Sequence, residues 1–360
     1  MKYGVTLLPT SYHSFREHVR LTESLGYDYI GVADSQSLFR ELMVSLTVAA
    51  METERVHLGP SVSNPLTRHP AVMASAIASL QELSGGRAFM GIGTGDSAIL
   101  NLGLRPARLA TVREYVTALR SFMSGESAYY RGREGHVRWS SDPAPIMMSA
   151  EGPRTLRIAG EIADRAMIHT GLTPEILEDT VAHVRAGEWN AGKPLGSTEI
   201  WALAKCNIDD DHDAAIDEIK MALSASAHHA FRFTLEGKHI PEELHEAMMA
   251  IQGEYVPAEH EQVGDTRNAA ISDEFGVTDY LADRFAVVGT PEECRAKVSQ
   301  IASSGVDVLQ IMAVSHDPSD IIRRGFGRVR FGHSELTGHQ LWTTAAEEGE
   351  RAALQLLDIA

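Results

Sequence analysis

Cysteine is almost missing from this 360-residue chain; Cys206 and Cys294 are the only two. No Cys-x-x-Cys pair exists, which excludes a disulfide framework and a thiolate zinc site. Such sparse usage fits a reducing, cytoplasmic compartment. Basic residues are also short: Lys and Arg total 32 against 49 Asp and Glu, a formal charge of −17. That surface repels phosphate backbones and anionic lipid, so nucleic-acid and membrane partners are not expected. No apolar run reaches the roughly 20 residues needed to span a bilayer. The apolar start, Met1 to Leu8, is brief, has no small-residue cleavage site and meets His13, Arg16 and Glu17 at once. It reads as a buried strand rather than a leader. Metal signatures are absent too. There is no His-x-His or His-Glu-x-x-His, and His228-His229 has no carboxylate at helical spacing, so no metal is expected. Gly91-Ile92-Gly93-Thr94-Gly95-Asp96 is neither a Walker loop nor the Gly-x-Gly-x-x-Gly of a dinucleotide fold.

What is present is alternation. Short apolar runs begin near residues 4, 28, 56, 87, 146, 166, 200 and 306, and amphipathic stretches separate most of them. Examples of the latter are Ser14 to Leu25, Leu38 to Ala50, Pro70 to Leu83, Arg108 to Met123, Pro153 to Ile162 and Pro291 to Ala302. Proline at a first helical turn and glycine after a last one mark several boundaries. Continuously apolar strands alternating with helices describe a parallel sheet covered by helices. Eight such units predict an α/β protein of the closed (β/α)8 TIM barrel type. The long gap before the last strand predicts a helical insertion between strands 7 and 8, at about 212–285, acting as a lid. The barrel domain is then 1–335, and 336–360 is a C-terminal tail with a helix from Ala345 to Leu357.

In such a barrel the working groups follow the C-terminal ends of the strands. That rule selects, among others, Asp34, Ser63, Asn64, Thr94-Gly95-Asp96 and Ser149 to Arg154. His13, His69, His169 and His316 are the candidate acid–base groups, since imidazole titrates near neutrality. The run Ala150-Glu151-Gly152-Pro153-Arg154-Thr155 predicts an anion site. Freed amides at a helix start and the Arg154 guanidinium would together hold a phosphate.

Four runs in order, Val32-Ala33-Asp34-Ser35, Gly59 to Pro70, Leu83 to Arg87 and Gly91 to Ser97, resemble the bacterial luciferase-like flavin-dependent oxidoreductases. Ala150 to Leu156 with Ala159 to Asp164 is similar to the phosphate-side unit of that family, and the likeness returns at 286–330. The resemblance implies a barrel with an insertion. It places Ser61, Val62, Ser63 and Asn64 behind a flavin ring, often with a non-prolyl cis peptide. Thr94, Gly95 and Asp96 would meet the ring or ribityl chain, with Asp34 nearby. Ser149, Ala150, Glu151, Gly152, Arg154 and Thr155 would hold the phosphate. This chain has Ala150-Glu151-Gly152-Pro153 where typical members carry Ala-Ser-Gly-Pro, which puts a carboxylate beside that turn. The leading expectation is a two-component monooxygenase. It would take reduced FMN from a separate flavin reductase and use O2 to oxygenate a small organic substrate. The alternatives are an F420-dependent hydride-transfer oxidoreductase and a non-catalytic flavin-binding protein. FMN leads because the acidic tail of F420 asks for a basic track. Arg105, Arg108, Arg154 and Lys193 are the candidates, in a chain at −17. A homo-oligomer is also implied.

Overall fold

The computed structural model describes residues 1–325; the expected tail, 336–360, lies outside the described residues. Eleven strands are found among the described residues. They are β1 (Lys2–Leu7), β2 (Tyr29–Val32), β3 (His57–Pro60), β4 (Met90–Ile92), β5 (Ala128–Tyr130), β6 (Arg133–Gly135), β7 (Ile146–Ala150), β8 (Arg165–Ile168), β9 (Glu199–Ile208), β10 (Ala286–Gly289) and β11 (Val308–Ala313). Eight of them pair in the order β3-β2-β1-β11-β9-β8-β7-β4, every neighbouring pair parallel. Bridges Leu58–Ala88 and Ser63–Ile92 join the two ends of that row, giving the eight-stranded barrel expected from the alternation. The seam depends on glycine. A Cβ at Gly59 would stand 2.1 Å from the Phe89 carbonyl oxygen, and one at Gly91 would stand 2.0 Å from that of Pro60. No side chain fits where these two backbones meet.

Helices cover the outside. Several begin as their sequences predict: Pro70–Ser84, Pro153–Ile162 and Pro291–Ala302 each open on proline, and the first closes on left-handed Gly85 (φ 67°). The helix expected from Leu38 starts instead at Leu42. The amides of Leu38 and Phe39 donate to the Ser35 carbonyl in a tight turn, and the Glu41 side chain caps the helix through Val44 N–H at 2.9 Å. An antiparallel hairpin, β5 with β6, was not expected. Arg131 (φ 51°) and Gly132 (φ 72°) form its two-residue turn, a left-handed pair that matches strand twist.

Two cores result. One packs outward-facing strand residues such as Val5, Ile30, Leu58 and Ala202 against the helices. The other fills the barrel with Tyr29, Phe89, Met147, Met167, Trp201 and Leu203. It continues without a break into the segment between β9 and β10, through Ile219, Leu223, Phe231, Ile251 and Leu281. That segment carries helices His212–Phe231, His245–Glu254, Arg267–Glu274 and Thr278–Phe285. No helix among the described residues is long and apolar enough to cross a membrane.

Candidate active site

Strand periodicity places the site. Side chains two apart along a strand share a face, so Trp201, Leu203 and Lys205 of β9 all enter the lumen. Met167 and His169 do so at β8, and Met147, Ser149 and Glu151 at β7. The apolar members form the floor, where the Tyr29 and Trp201 rings lie 4.3 Å apart. The polar members end the series at the C-terminal rim. Above them lies a cavity of about 920 Å³, the right size for a cofactor with a substrate.

Most of the sequence-predicted cofactor residues line this cavity: Asp34, Ser61, Val62, Ser63, Asn64, Thr94, Gly95, Asp96, Ser149, Glu151, Gly152, Arg154 and Thr155. Ala150 does not; it points into the outer core. The Ser61–Val62 peptide is cis. Asp34 is already occupied, accepting from Ser63 Oγ and from Arg68 Nη1, both at 2.6 Å. It therefore fixes the Ser63 loop. Asn64 uses its Oδ1 to accept the amides of Leu66 and Thr67, and its buried Nδ2 has no partner among the described residues.

The four histidines separate. His169 lines the cavity and is buried. His13 stands in solvent beside Glu17. His69 caps the helix that starts at Pro70, its Nδ1 accepting Ala71 N–H at 3.1 Å, with its ring edge-on to Tyr130. His316 is exposed on the loop after β11, where its amide donates to Glu218. None of these three lines the cavity.

The insertion supplies groups that sequence reasoning missed. His229 and Arg232 project from the helix His212–Phe231 and the residue that follows it. His229 Nδ1 is 2.9 Å from Asp96 Oδ2, and its Nε2 is 2.6 Å from Glu151 Oε1. Arg232 pairs with Asp96 and donates to the Gly95 carbonyl at 3.1 Å. His169 Nδ1 approaches the same Glu151 oxygen at 3.6 Å. Lower in the cavity, buried Lys205 pairs with buried Glu261, an insertion residue at φ 56°. The period-two run Trp201-x-Leu203-x-Lys205 was a legible signal for a lumenal lysine. For His229 the only sequence signal was its one-turn spacing from Arg232.

These contacts set the charges. Burial disfavours ionised Glu151, but the His229 and His169 imidazoles outweigh it and hold the carboxyl below its ordinary range. Asp96 is held well below its range in the same way, burial being overcome by His229 and Arg232. Burial likewise opposes a charged His229, yet Glu151 and Asp96 raise it to about 9. His169 goes the other way: burial is the largest cause and lowers it. At neutral pH the site therefore holds an imidazolium between two carboxylates and, beside it, a neutral histidine whose Nε2 has no partner among the described residues.

The anion turn is open. The helix from Pro153 has no side-chain cap at Gly152. Arg154 and Arg157 on its first turns, and Arg108 across the rim, line the cavity, are exposed and have no acidic partner among the described residues. Lys193, expected as a rim cation, instead donates to the carbonyls of Gly160 and Ala163, where it ties helix to strand.

A closed barrel whose polar C-terminal rim opens on a cavity large enough for a cofactor and a substrate has the frame of an enzyme site. The chain belongs to the luciferase-like monooxygenase family, whose model matches residues 1–308. It is 30% identical over 329 residues to a 5,10-methylenetetrahydromethanopterin reductase of Methanolobus tindarius, covering 88% of this chain and 94% of that one. It is also 30% identical to an F420-dependent glucose-6-phosphate dehydrogenase of Nakamurella multipartita, over 62% of this chain and 73% of that one. The coenzyme F420-dependent tetrahydromethanopterin reductase of Methanopyrus kandleri superposes with a TM-score of 0.70 at 24% identity, over 91% of this chain and 98% of that one. These relatives overturn the leading expectation. The FMN monooxygenase reading, with its O2 and separate reductase, gives way because these curated relatives are named as reductases and as F420-dependent dehydrogenases, not as oxygenases. The physical argument behind that reading also fails. Net charge is a bulk property, and this chain gathers unpaired arginines at one rim despite standing at −17 overall. The relatives are enzymes, so the non-catalytic alternative is set aside.

Proposed function

We propose that this enzyme is an F420-dependent oxidoreductase that moves a hydride between the deazaflavin and a small organic substrate. The observation that carries the reading is the uncapped turn at Gly152 ringed by Arg108, Arg154 and Arg157. It fits a cofactor with an anionic tail longer than one phosphate, because the three guanidiniums extend the anion-binding surface beyond the helix start. The Asn64 Nδ2, without a partner among the described residues, fits a flat polar ring above Ser61 and Val62. F420, when bound, supplies a two-electron hydride acceptor or donor. The chain's own residues do the rest. Ser61 to Asn64 and Thr94-Gly95 orient the ring, and the arginines anchor the tail. The insertion closes the cavity as a lid and excludes water. Hydride transfer to or from carbon leaves one proton to be moved at the neighbouring heteroatom, and the free Nε2 of His169 is placed to move it.

Titration with oxidised F420 and with FMN, followed by cofactor fluorescence, tests this. F420 is expected to bind at least about tenfold more tightly, and Arg154→Ala to weaken it about tenfold, the worth of one charge-assisted hydrogen bond. Tighter binding of FMN, or substrate-dependent O2 uptake with reduced FMN, would sink the reading.

A further inference from the structure

One carboxylate oxygen stands between two imidazoles that come from different parts of the chain. Glu151 Oε1, just past β7, lies 2.6 Å from Nε2 of His229 on the insertion and 3.6 Å from Nδ1 of His169 at the end of β8. The two rings are 6.0 Å apart. His229 is fully committed, because its other nitrogen holds Asp96. His169 is not. It is buried and lines the cavity, and its Nε2 has no partner among the described residues.

We infer that His229 is a positioning residue, through which the insertion keeps Glu151 ionised so that Glu151 fixes the tautomer of His169. An ionised carboxylate accepts from Nδ1–H, which leaves the Nε2 lone pair facing the cavity as a base. A protonated Glu151 would be a donor on that side and would favour the opposite tautomer. The His229 imidazolium prevents this by standing against the carboxylate.

The inference rests on the proposed hydride chemistry, and its step balances within it. As a substrate carbon gives up a hydride, two electrons and one hydrogen, to the cofactor, the adjoining O–H or N–H gives its proton to His169 Nε2. The bond between carbon and heteroatom gains the pair left behind. The charge that forms on His169 is met by Glu151. In the reducing direction the same proton returns to the heteroatom. At 3.6 Å the contact is longer than a hydrogen bond, and the inference has ring and carboxylate close on each other as substrate fills the cavity.

The surroundings agree in sign. His169 faces Glu151, which raises its proton affinity, and Lys205 and His229, which lower it, while burial is the largest cause and lowers it. Phe285, from the last insertion helix, packs on its ring at 5.4 Å. His229 faces Glu151, Asp96 and Arg232, with His228 beside it on the same helix. Removing the His229 charge therefore raises the proton affinity of both Glu151 and His169.

Nitrogen NMR of the full chain labelled with ¹⁵N-histidine tests the inference without substrate. In the wild type the neutral His169 ring is expected as the Nδ1–H tautomer, with its titration midpoint below the ordinary histidine value of about 6.5. His229→Leu should shift the neutral His169 ring toward the Nε2–H tautomer, because Glu151 then takes a proton more readily and donates on the Nδ1 side. His229→Asn, which can still reach Asp96, should do the same and carries the test if the leucine variant folds poorly. In a Glu151→Gln background the His229 substitution should leave the tautomer unmoved, because the carboxylate that carries the effect is gone. An Nε2–H tautomer in the wild type overturns the inference. So does an unmoved tautomer in both His229 variants, or an equal change in the Glu151→Gln background. Parallel F420 titrations separate the two readings. Loss of cofactor binding with the histidine coupling intact would fall on the proposed function, and loss of the coupling with F420 still bound would fall on this inference.

Discussion

The cavity has two walls of different origin. The barrel wall is made of strand ends and the turns that follow them. Each residue's position there follows from its place in a βα unit, and its contacts are mostly short-range. Ser63 meets Asp34 across neighbouring strands, and the amides after Gly152 belong to a helix that starts where proline dictates. The insertion wall is made of side chains that reach across. His229 and Arg232 meet partners more than 130 positions earlier in the chain, and Glu261 meets Lys205 from a left-handed backbone position. The barrel wall binds by arranged backbone, whereas the insertion wall is held by buried charge pairs. Pairs of that second kind fall hard when one partner goes, because the other is left ionised in a dry site.

The sharpest way to break the comparison is therefore at the joint. Lys205→Met leaves the Glu261 carboxylate buried without its cation. The expected loss is about 3–5 kcal/mol of unfolding free energy, read by urea denaturation. Lys205→Met with Glu261→Leu should recover most of it, since an apolar pair of similar volume needs no solvation. An equally unstable double variant would mean that the joint is held by packing, and the two walls would then not differ in kind.

A smaller effect separates the walls by pH. The folded state holds His229 protonated to about 9, against about 6.5 in an unfolded chain. A group whose proton affinity rises on folding contributes in full below the unfolded value and loses its contribution as pH rises through the folded one. Stability should therefore fall between about pH 6.5 and 9, by roughly 1–3 kcal/mol if nothing else titrates. The carboxylates at Glu151 and Asp96 act at the other end, since their depressed values make stability fall as the solution is acidified. Thermal unfolding of the wild type and of His229→Leu across that range checks the alkaline part. The wild-type slope should flatten in the variant, and parallel slopes would remove His229 from the account.

The same division explains what could be read in advance. Eight apolar runs, their proline starts and their glycine stops are local signals, and they pointed to the barrel and to many of the strand-end residues that line the cavity. The hairpin from Ala128 to Gly135 escaped because its strands are three residues each; only the Arg131-Gly132 turn marked it. Glu151 was noticed as a departure beside an anion turn, but its partner was not. The pairing of His229 with Glu151 joins elements some 80 positions apart, and neither periodicity nor spacing reports it. Lys205 was readable in principle. A charged residue on the lumenal face of an otherwise apolar strand needs a partner, although the strand alone does not say that the partner is Glu261.

The smallest test concerns the histidines that follow strands but miss the cavity. His169 directly follows β8, whereas His69 stands at the far end of the loop after β3, where its ring nitrogen serves Ala71 N–H as a helix cap and its edge meets Tyr130. Its worth is that of a cap, so His69→Ala should cost about 1 kcal/mol of stability, measured by denaturation. It should leave F420 binding where it was, because nothing between His69 and the cavity depends on its charge. His13, in solvent beside Glu17, should move neither quantity. A change in F420 affinity of more than about threefold in His69→Ala would exceed the roughly 0.5 kcal/mol expected of a remote substitution. Proximity to a strand end would then matter more than facing the lumen, and the period-two rule that separates His169 from the other three would lose its force.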